Sequence, residues 1–325
     1  MVGKKKIAML LAGLLGVSSF VACQKNGEAI KDNKKVEIGI TQIVQHPALD
    51  LAREGFIEGL REKGYEDGKN ITIDYQNAQG DAATSQTIAQ KFVSEDKDMI
   101  LAIATPSAQA VYNATKEIPS VFTAVTDPVA AGIAESWESS GTNFTGVSDM
   151  VPIDKQLQLL LKLVPEVKTL GVIFNTSEAN SIVQVETLKE EAIKLNIEVK
   201  EIGVTNVNEI NQNLTAVIKS IDALYTPTDN TVASAFDLIG KIAVENNVPI
   251  LGAEEAVVDV GGLCSIGIDY FKLGKETAFK AVEILEGKKP AEIKISTLDD
   301  MSIKINREIA AKLGIKIPEN INWYY

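Results

Sequence analysis

Short apolar segments alternate along the chain with longer segments whose apolar residues recur at helical spacing. Residues 36–41 and 71–75 read as strands, whereas residues 48–63 place Leu49, Ala52 and Leu60 on one helical face. Gly64 follows that helix at a position typical of a helix end. Because strand and helix patterns alternate, we predict the α/β class, with two Rossmann-like lobes built on parallel sheets.

One strand–loop–helix–strand unit occurs twice, about 120 residues apart, in residues 98–124 and 222–253. In each copy an apolar strand ends in Thr-Pro, at Thr105–Pro106 and at Thr226–Pro227. Proline cannot extend the strand, because it has no N–H to donate. Each copy therefore places hydroxyl and amide groups at the start of a helix, which suits anions and polar ligands.

Composition limits the classes of function. The chain has 325 residues, enough for two domains, a net charge of −12 and a pI of about 4.8. This charge argues against a nucleic-acid partner, which requires a basic surface. The sequence has no glycine-rich nucleotide motif, no nucleophile motif and no metal-ligand spacing, so we predict no cofactor and no metal.

The N-terminus resembles a bacterial lipoprotein leader. Three lysines at positions 4–6 precede the apolar residues 7–21, which are too few to span a bilayer comfortably. The segment ends in Phe20-Val-Ala-Cys23. We predict a signal peptide over residues 1–22, a palmitoylated Cys23 and a tether over 23–35, anchored on the outer side of the cell membrane. The alternative is an ordinary signal peptide with an incidental cysteine. The other cysteine, Cys264, lies in an apolar run and is expected to be buried.

Ligands of parallel α/β sheets bind at the carboxyl ends of the strands. The polar residues predicted to follow strands or begin helices are therefore the candidate ligand-binding residues, and we expect a cleft between two lobes. The candidates are Thr41, Gln42, Gln79, Thr105, Ser107, Thr126, Asp127, Asn180, Ser181, Tyr225, Asp229, Asn230 and Asp269.

Several segments together resemble the ABC-transporter substrate-binding proteins whose characterised members bind tryptophan or tyrosine. The resemblance covers most of residues 36–318 and is carried by residues 39–50, 77–81, 104–109, 124–129 and 225–230. It implies a type I periplasmic-binding fold with crossovers near residues 147–151, 268–272 and 297–303. The implied lobes are residues 36–148 with 271–299, and residues 149–270 with 300–325.

The resemblance also implies how an amino acid is bound. We expect Thr105, Ser107 and Thr126 to bind the ligand carboxylate, with helix capping as their alternative role. Asp229 is the first candidate for the ammonium group and Asp269 the second, although Asp229 could equally be a helix cap.

The other candidates keep two roles each. Asn180 and Ser181 could bind ligand or cap a helix, and Asp127 could line the cleft or form a turn. Gln42 and Gln79 could bind polar ligand groups. His46 could contact an aromatic ring or close a turn. Two roles are also open for three aromatic residues, which could form an aromatic wall of the cleft or pack in the core: Phe122, Tyr225 and Tyr270.

The predicted function is therefore that of a receptor without enzymatic activity. It binds tyrosine, tryptophan or phenylalanine between its lobes and delivers the ligand to the permease of an ABC importer. Two alternatives remain open: a surface adhesin or sensor on the same fold, and an enzyme that uses carboxylates in the cleft.

Overall fold

The computed structural model describes residues 35–318 of the chain. The predicted signal peptide, Cys23 and almost all of the predicted tether lie outside the described residues. None of the helices within residues 35–318 combines the length and the apolar character that crossing a membrane requires.

The first lobe is a six-stranded sheet covered by helices, and all its strand pairs are parallel. Its elements are β1 Val36–Gln42, α1 Pro47–Glu62, β2 Ile71–Asn77, α2 Ala82–Ser94, β3 Met99–Ile103, α3 Thr105–Ala114, β4 Ser120–Thr123, β5 Phe144–Ser148, α10 Tyr270–Leu285 and β11 Ser296–Thr297. The strand order is β11-β5-β4-β3-β1-β2. The central strand β3 is completely buried, as its continuous apolar sequence predicts.

The second lobe contains a second six-stranded sheet. Its elements are α4 Ile153–Leu163, β6 Thr169–Asn175, α5 Ala179–Lys194, β7 Glu198–Val204, α6 Val207–Val217, β8 Ala223–Thr226, α7 Asn230–Ala233, α8 Phe236–Asn246, β9 Ile250–Gly252, α9 Ala256–Asp259, β10 Cys264–Ile268, β12 Met301–Ile305 and α11 Arg307–Lys312. The strand order is β12-β10-β9-β8-β6-β7. The edge strand β12 pairs antiparallel with β10, an exception to the predicted parallel arrangement.

The chain passes between the two sheets three times, after β5, after β10 and after β11. Helix α10 returns to the first lobe and packs closely on α1. Gly274 permits this approach, because a Cβ at that position would overlap the carbonyl oxygen of Ala52. The three crossings and the two parallel-sheet lobes confirm the predicted fold class.

The sequence pattern also predicts a helix over residues 273–285, a single helix over residues 232–244 and one strand in the tail that begins at about residue 293. The structure differs from each of these three predictions. Helix α10 begins at Tyr270, earlier than the predicted Leu273, because Asp269 caps it by accepting a bond of 3.0 Å from the Lys272 N–H. The single helix predicted over residues 232–244 is two helices, α7 and α8. The Ser234 hydroxyl donates to the Thr231 carbonyl at 2.7 Å in the break between them. The tail contains two short strands instead of one.

Candidate functional site at the interface of the lobes

The carboxyl ends of the two sheets meet at a buried interface. Thr126, in the loop after β4, and Thr228, in the loop after β8, place their hydroxyl oxygens 3.0 Å apart. Gln184 of α5 also donates to the Thr228 hydroxyl. All three side chains are buried. The interface is therefore a hydrogen-bonded contact between strand-end loops of opposite lobes.

Asp149 joins this contact to the segments that connect the lobes. It directly follows β5 and accepts from the Thr126 hydroxyl at 2.9 Å and from the Tyr270 hydroxyl at 3.0 Å. Tyr270 begins α10, where the chain returns to the first lobe. Burial raises the pKa of the Asp149 carboxyl above its ordinary value. Asp149 is thus a buried acid that is bonded both to the contact between the lobes and to a segment that crosses between them.

The first lobe brings unpaired hydroxyl groups to the ends of β1 and β3. The hydroxyls of Thr41, Thr105 and Ser107 are buried, and none has a hydrogen-bond partner within residues 35–318. Thr105 and Ser107 lie in the first turn of α3, where backbone N–H groups are also free and the helix dipole is positive. These groups are donors suited to an anion.

The backbone before α3 adopts a conformation that side chains rarely allow. Ala104 has φ 76° and ψ 158°, a region populated almost entirely by glycine. Ala124, at the end of the neighbouring strand β4, has φ 56°. Such strain is costly and is found most often at ligand-binding sites. Two adjacent strand ends in the first lobe are therefore held in unusual geometry.

In the matching loop of the second lobe, the Asp229 carboxylate is already hydrogen-bonded within the lobe. One oxygen of the buried Asp229 carboxylate accepts from the Val232 N–H at 2.8 Å. Its other oxygen accepts from the Asn175 N–H and the Ser181 hydroxyl, both at 2.6 Å. Asp229 is thus the cap of α7 and a link to β6 and α5, the alternative role that the sequence left open. Burial, and then the charge of Glu178, raise its pKa.

Glu178 accepts hydrogen bonds from Asn230 and Thr231, the next residues of that loop. It accepts from the backbone N–H groups of Asn230 and Thr231, each at 3.1 Å, and from the Thr231 hydroxyl at 2.9 Å. The Asn230 side chain also donates to it. Glu178 is buried although it carries a carboxylate. The loop that contains Asp229 is therefore stabilised by two internal acids.

Glu254 and His46 face each other from opposite lobes without a hydrogen bond. Glu254 follows β9 and is 3% exposed, and His46 precedes α1 and is 5% exposed. The His46 Nδ1 atom lies 3.9 Å from Glu254 Oε2, and this oxygen has no hydrogen-bond partner in the described chain. Burial lowers the pKa of His46 to about 4, so the ring is neutral at pH 7. Burial, and then the charges of Asp149, Asp229 and Glu178, raise the pKa of Glu254 well above its ordinary value.

The interface carries acidic groups that no nearby base neutralises. Within residues 35–318 the buried acids are Asp149, Glu178, Asp229 and Glu254. All four lie at the interface and influence one another electrostatically, and we call them and their hydrogen-bond partners the network. The buried bases in the same range are the neutral His46 and Lys97, which pairs with Glu37, Asp74 and Glu95 instead. Four buried acids at one interface therefore favour a cation as their electrostatic complement.

A groove of about 370 Å³ opens between the lobes beside this network. The first lobe contributes apolar side chains, including Ile43, Val44 and Pro106, while the second contributes Glu178 and Asn230. Gln79 also lines the groove, as an exposed residue with φ 55°. The volume lies within the ordinary range for small-molecule sites, about 300–1,000 Å³.

The structure brings most of the predicted site residues to the interface. Gln79 and Asn230 line the groove, and Thr126, Asn180, Ser181 and Asp229 belong to the hydrogen-bonded contact. Thr41, Thr105 and Ser107 are buried at the strand ends of the first lobe. Asn180 donates to the Thr228 carbonyl at 2.7 Å, and its side-chain oxygen is unpaired. Thr126, expected to bind a carboxylate, is instead bonded to Asp149 and Thr228.

Four predicted residues have other partners. Gln42 is bonded within the first lobe to Asp50 and Arg53, and the Tyr225 hydroxyl donates to Gln156 inside the second lobe at 2.7 Å. Asp127 closes a turn by accepting from the N–H groups of residues 129 and 130. Asp269 is an exposed helix cap. Local hydrogen bonds explain why these side chains are not part of the network. Phe122 is core, and the Tyr270 hydroxyl is bonded to Asp149.

Sequence reasoning missed Asp149, Glu178, Gln184 and Glu254. Asp149 and Glu254 had a detectable signal, because each is an acid soon after a buried strand, at the edge where ligands bind. Glu178 and Gln184 had no such signal in the sequence. Each becomes important only through a partner more than 40 residues away in sequence.

Comparison with known proteins identifies the family. Residues 37–324 match the family described as ABC transporter substrate binding protein. The chain is 48% identical to the tyrosine-binding protein of Clostridioides difficile, over 96% of this chain and 93% of that protein. It also resembles the ABC domain from Streptococcus pneumoniae crystallised with L-Trp, at 38% identity and TM-score 0.86, covering 89% of this chain and 97% of the other.

A third similar structure is the ligand-free, open form of a substrate-binding protein with adhesive properties from Clostridium difficile. It is 51% identical and covers 88% of this chain and 97% of the other, yet its TM-score is 0.68. Because the more similar sequence gives the lower score, the difference is one of conformation. The lobes described above are arranged as in the L-Trp complex. The family consists of substrate-binding proteins rather than enzymes, in agreement with the predicted receptor. This chain therefore belongs to the ABC transporter substrate-binding protein family.

Proposed function

We propose that this protein binds an aromatic L-amino acid between its lobes and delivers it to the permease of an ABC importer. The observation that carries the proposal is the complementary chemistry of the buried interface. Unpaired donors at the start of α3 suit a carboxylate, and Glu254 with the three acids around it suits an ammonium group. A zwitterion has both groups. The tyrosine-binding relative and the L-Trp complex support the aromatic class.

The carboxylate is bound at the N-terminus of α3. There it accepts from the hydroxyls of Thr105 and Ser107 and from free backbone N–H groups, in the field of the helix dipole. Charge-assisted bonds of this kind contribute about 1.5–3 kcal/mol each. Binding also pairs hydroxyls that are otherwise buried without partners.

The aromatic ring lies against the apolar wall of the groove. Ile43, Val44 and Pro106 contribute this wall from the first lobe, and Val207 lies in the same groove on the second. Ring burial supplies hydrophobic free energy, while the charged ends fix the ligand's orientation. Because both lobes contribute groups, the ligand stabilises the closed arrangement.

Mass spectrometry of the small molecules released on denaturing the purified protein tests this function. We expect tyrosine, tryptophan or phenylalanine. Calorimetry of the ligand-stripped protein is expected to show one-to-one binding of at least one of them, at micromolar affinity or better, about −8 kcal/mol. If none of the three gives heat or a thermal shift, the ligand class is wrong.

The proposal includes attachment to the outer side of the cell membrane through a lipid on Cys23. The basic residues, the short apolar segment and the small residue before Cys23 support this attachment. The substitution Cys23→Ala is expected to abolish labelling with radioactive palmitate and to leave a soluble or uncleaved protein. Cys264→Ala is the matched control and should label normally. Equal labelling of the Cys23→Ala variant would contradict the anchor.

The adhesive properties named for the 51% identical relative favour adhesion as a second candidate function. Host-surface binding of the purified protein, measured with and without saturating tyrosine, tests this candidate. Adhesion at a separate surface should be unchanged by the ligand. No binding in either condition would leave transport as the proposed role.

A further inference from the structure

Glu254 differs from the other three acids of the interface in one respect: its Oε2 atom has no hydrogen-bond donor. Asp229 accepts from three donors, Glu178 from several, and Asp149 from two hydroxyls. Each of those three therefore already has partners within the protein. Glu254 is only 3% exposed, so water is not its ordinary partner either.

The position of Glu254 is also suited to a ligand held by both lobes. It follows β9 at the carboxyl edge of the second sheet, and it faces His46 of the first lobe at 3.9 Å. That distance is too long for a hydrogen bond. His46 is neutral at pH 7, so it does not supply the positive charge that Glu254 lacks.

We propose that Glu254 is the residue that binds the α-ammonium group of the ligand, with Asp149, Glu178 and Asp229 contributing negative potential around it. This assignment rests on the proposed function and replaces Asp229 in the role first expected for it. The ligand ammonium donates to Oε2 of Glu254, while the carboxylate lies at the N-terminus of α3. Glu254 thereby selects compounds with a free amino group over those without one.

A charge-removing substitution tests the proposal against a neighbouring control. Glu254→Gln keeps the size and one acceptor of the side chain but removes its charge. We expect it to weaken binding of L-tyrosine and L-tryptophan about 30-fold or more, measured by calorimetry. Glu255→Gln is the control, because Glu255 is the adjacent residue but its carboxylate is bonded to Ser302 outside the network. It should bind within about threefold of wild type.

Two further measurements exclude a merely structural role. Because Oε2 of Glu254 has no donor within residues 35–318, Glu254→Gln should leave the melting temperature measured without ligand unchanged or raised, whereas loss of a structural acceptor would lower it. Wild-type protein should also bind the desamino analogue of tyrosine about 30-fold or more weaker than tyrosine. In Glu254→Gln this preference for the amino group should shrink, because the two changes remove the same contact.

Several outcomes would overturn the assignment. Tyrosine and tryptophan affinities of Glu254→Gln within threefold of wild type would do so, as would a wild-type protein that binds the desamino analogue as tightly as tyrosine. Either result would leave the amino-acid receptor intact. If wild-type protein bound neither amino acid, the proposed function itself would fail and this assignment with it.

Discussion

The two Thr-Pro loops of this protein share a local sequence pattern but have different hydrogen bonding. In the first lobe, Thr105 and Ser107 have buried hydroxyls without partners, after a strained Ala104. In the second, the Thr226 hydroxyl is likewise without a partner within residues 35–318, but Thr228 and Asp229, which follow it, are held by bonds from α5, β6 and the opposite lobe. The first loop therefore retains donors for a ligand, whereas the second is a rigid support that meets it.

The difference arises from the neighbours of each loop. The second loop packs beside Glu178, Asn180 and Gln184, which bond to its backbone and side chains. Within residues 35–318, the hydroxyls of Thr105 and Ser107 have no hydrogen-bond partner. An unpaired buried polar group costs about 1–3 kcal/mol, which a ligand can recover by pairing with it. The first copy of the motif thus contributes mainly to ligand binding, and the second copy contributes mainly to stability.

The largest expected effect is on the second loop. Asp229→Ala leaves the N–H groups of Asn175 and Val232 and the Ser181 hydroxyl unpaired in a buried site. We expect a loss of about 4 kcal/mol in the free energy of unfolding, and a melting temperature lower by about 10 °C. Scanning calorimetry measures this loss.

Asp229→Asn is not a neutral control for this experiment. It retains one oxygen but turns an NH₂ group toward the donors on the other side. We therefore expect it to be destabilising as well. A melting temperature of Asp229→Ala within about 2 °C of wild type would show that the second loop is not the rigid one.

The second effect is on binding by the first loop. The double substitution Thr105→Val with Ser107→Ala removes two hydroxyl donors to the ligand carboxylate and should weaken tyrosine binding about 100-fold. Its melting temperature should change little, because neither hydroxyl has a hydrogen-bond partner within residues 35–318. Ser265→Ala, which removes a buried unpaired hydroxyl from β10, should bind normally. Equal affinities in all three proteins would exclude the first loop as the carboxylate site.

The third effect is a pH dependence of the ligand-free protein. The folded-state pKa of Glu254 is raised, so folding takes up a proton and stability falls as pH rises through that pKa. His46, with its pKa lowered to about 4, destabilises only at pH below its unfolded value of 6.5 and is neutral in both states between pH 7 and 8.5. Above pH 7 we therefore expect Glu254 to lower the unfolding free energy as pH rises, by at most about 1.4 kcal/mol per pH unit and only up to its folded-state pKa.

Glu254→Gln isolates this contribution, because the other acids facing it, Asp149, Glu178 and Asp229, and the acidic surface are unchanged. Its stability should depend less steeply on pH than that of wild type, as measured by denaturant titration at each pH. Identical slopes in the two proteins would contradict a raised pKa of Glu254 in the folded protein.

The smallest expected effect separates two threonines of the second loop. Thr228→Val removes the bond to Thr126 across the interface, and a loss of about 1 kcal/mol should weaken tyrosine binding about fivefold. Thr226→Val is the control, since the Thr226 hydroxyl has no partner. If both variants bound equally, the contact between the two loops would not contribute to closure.

The sequence by itself determined the architecture and the edge of the sheets where the site lies. Apolar runs alternating with helical spacing require parallel sheets covered by helices, and Thr-Pro at two strand ends locates polar loops at their carboxyl edge. These features depend on residues near one another in the chain. The spacing of residues along the chain is enough to predict these features, because backbone geometry alone sets the periods of helices and strands.

Only the tertiary structure decided which polar groups are free to bind a ligand. Asp229 and Glu254 both follow strands of the second sheet, and the sequence pointed to Asp229. In the fold, Asp229 accepts from the N–H of Asn175 and the hydroxyl of Ser181, whereas Oε2 of Glu254 has no donor within residues 35–318 and lies 3.9 Å from the neutral His46 of the other lobe. Whether a carboxylate is already paired depends on residues up to two hundred positions away, because the three crossings bring distant strand ends to one buried interface.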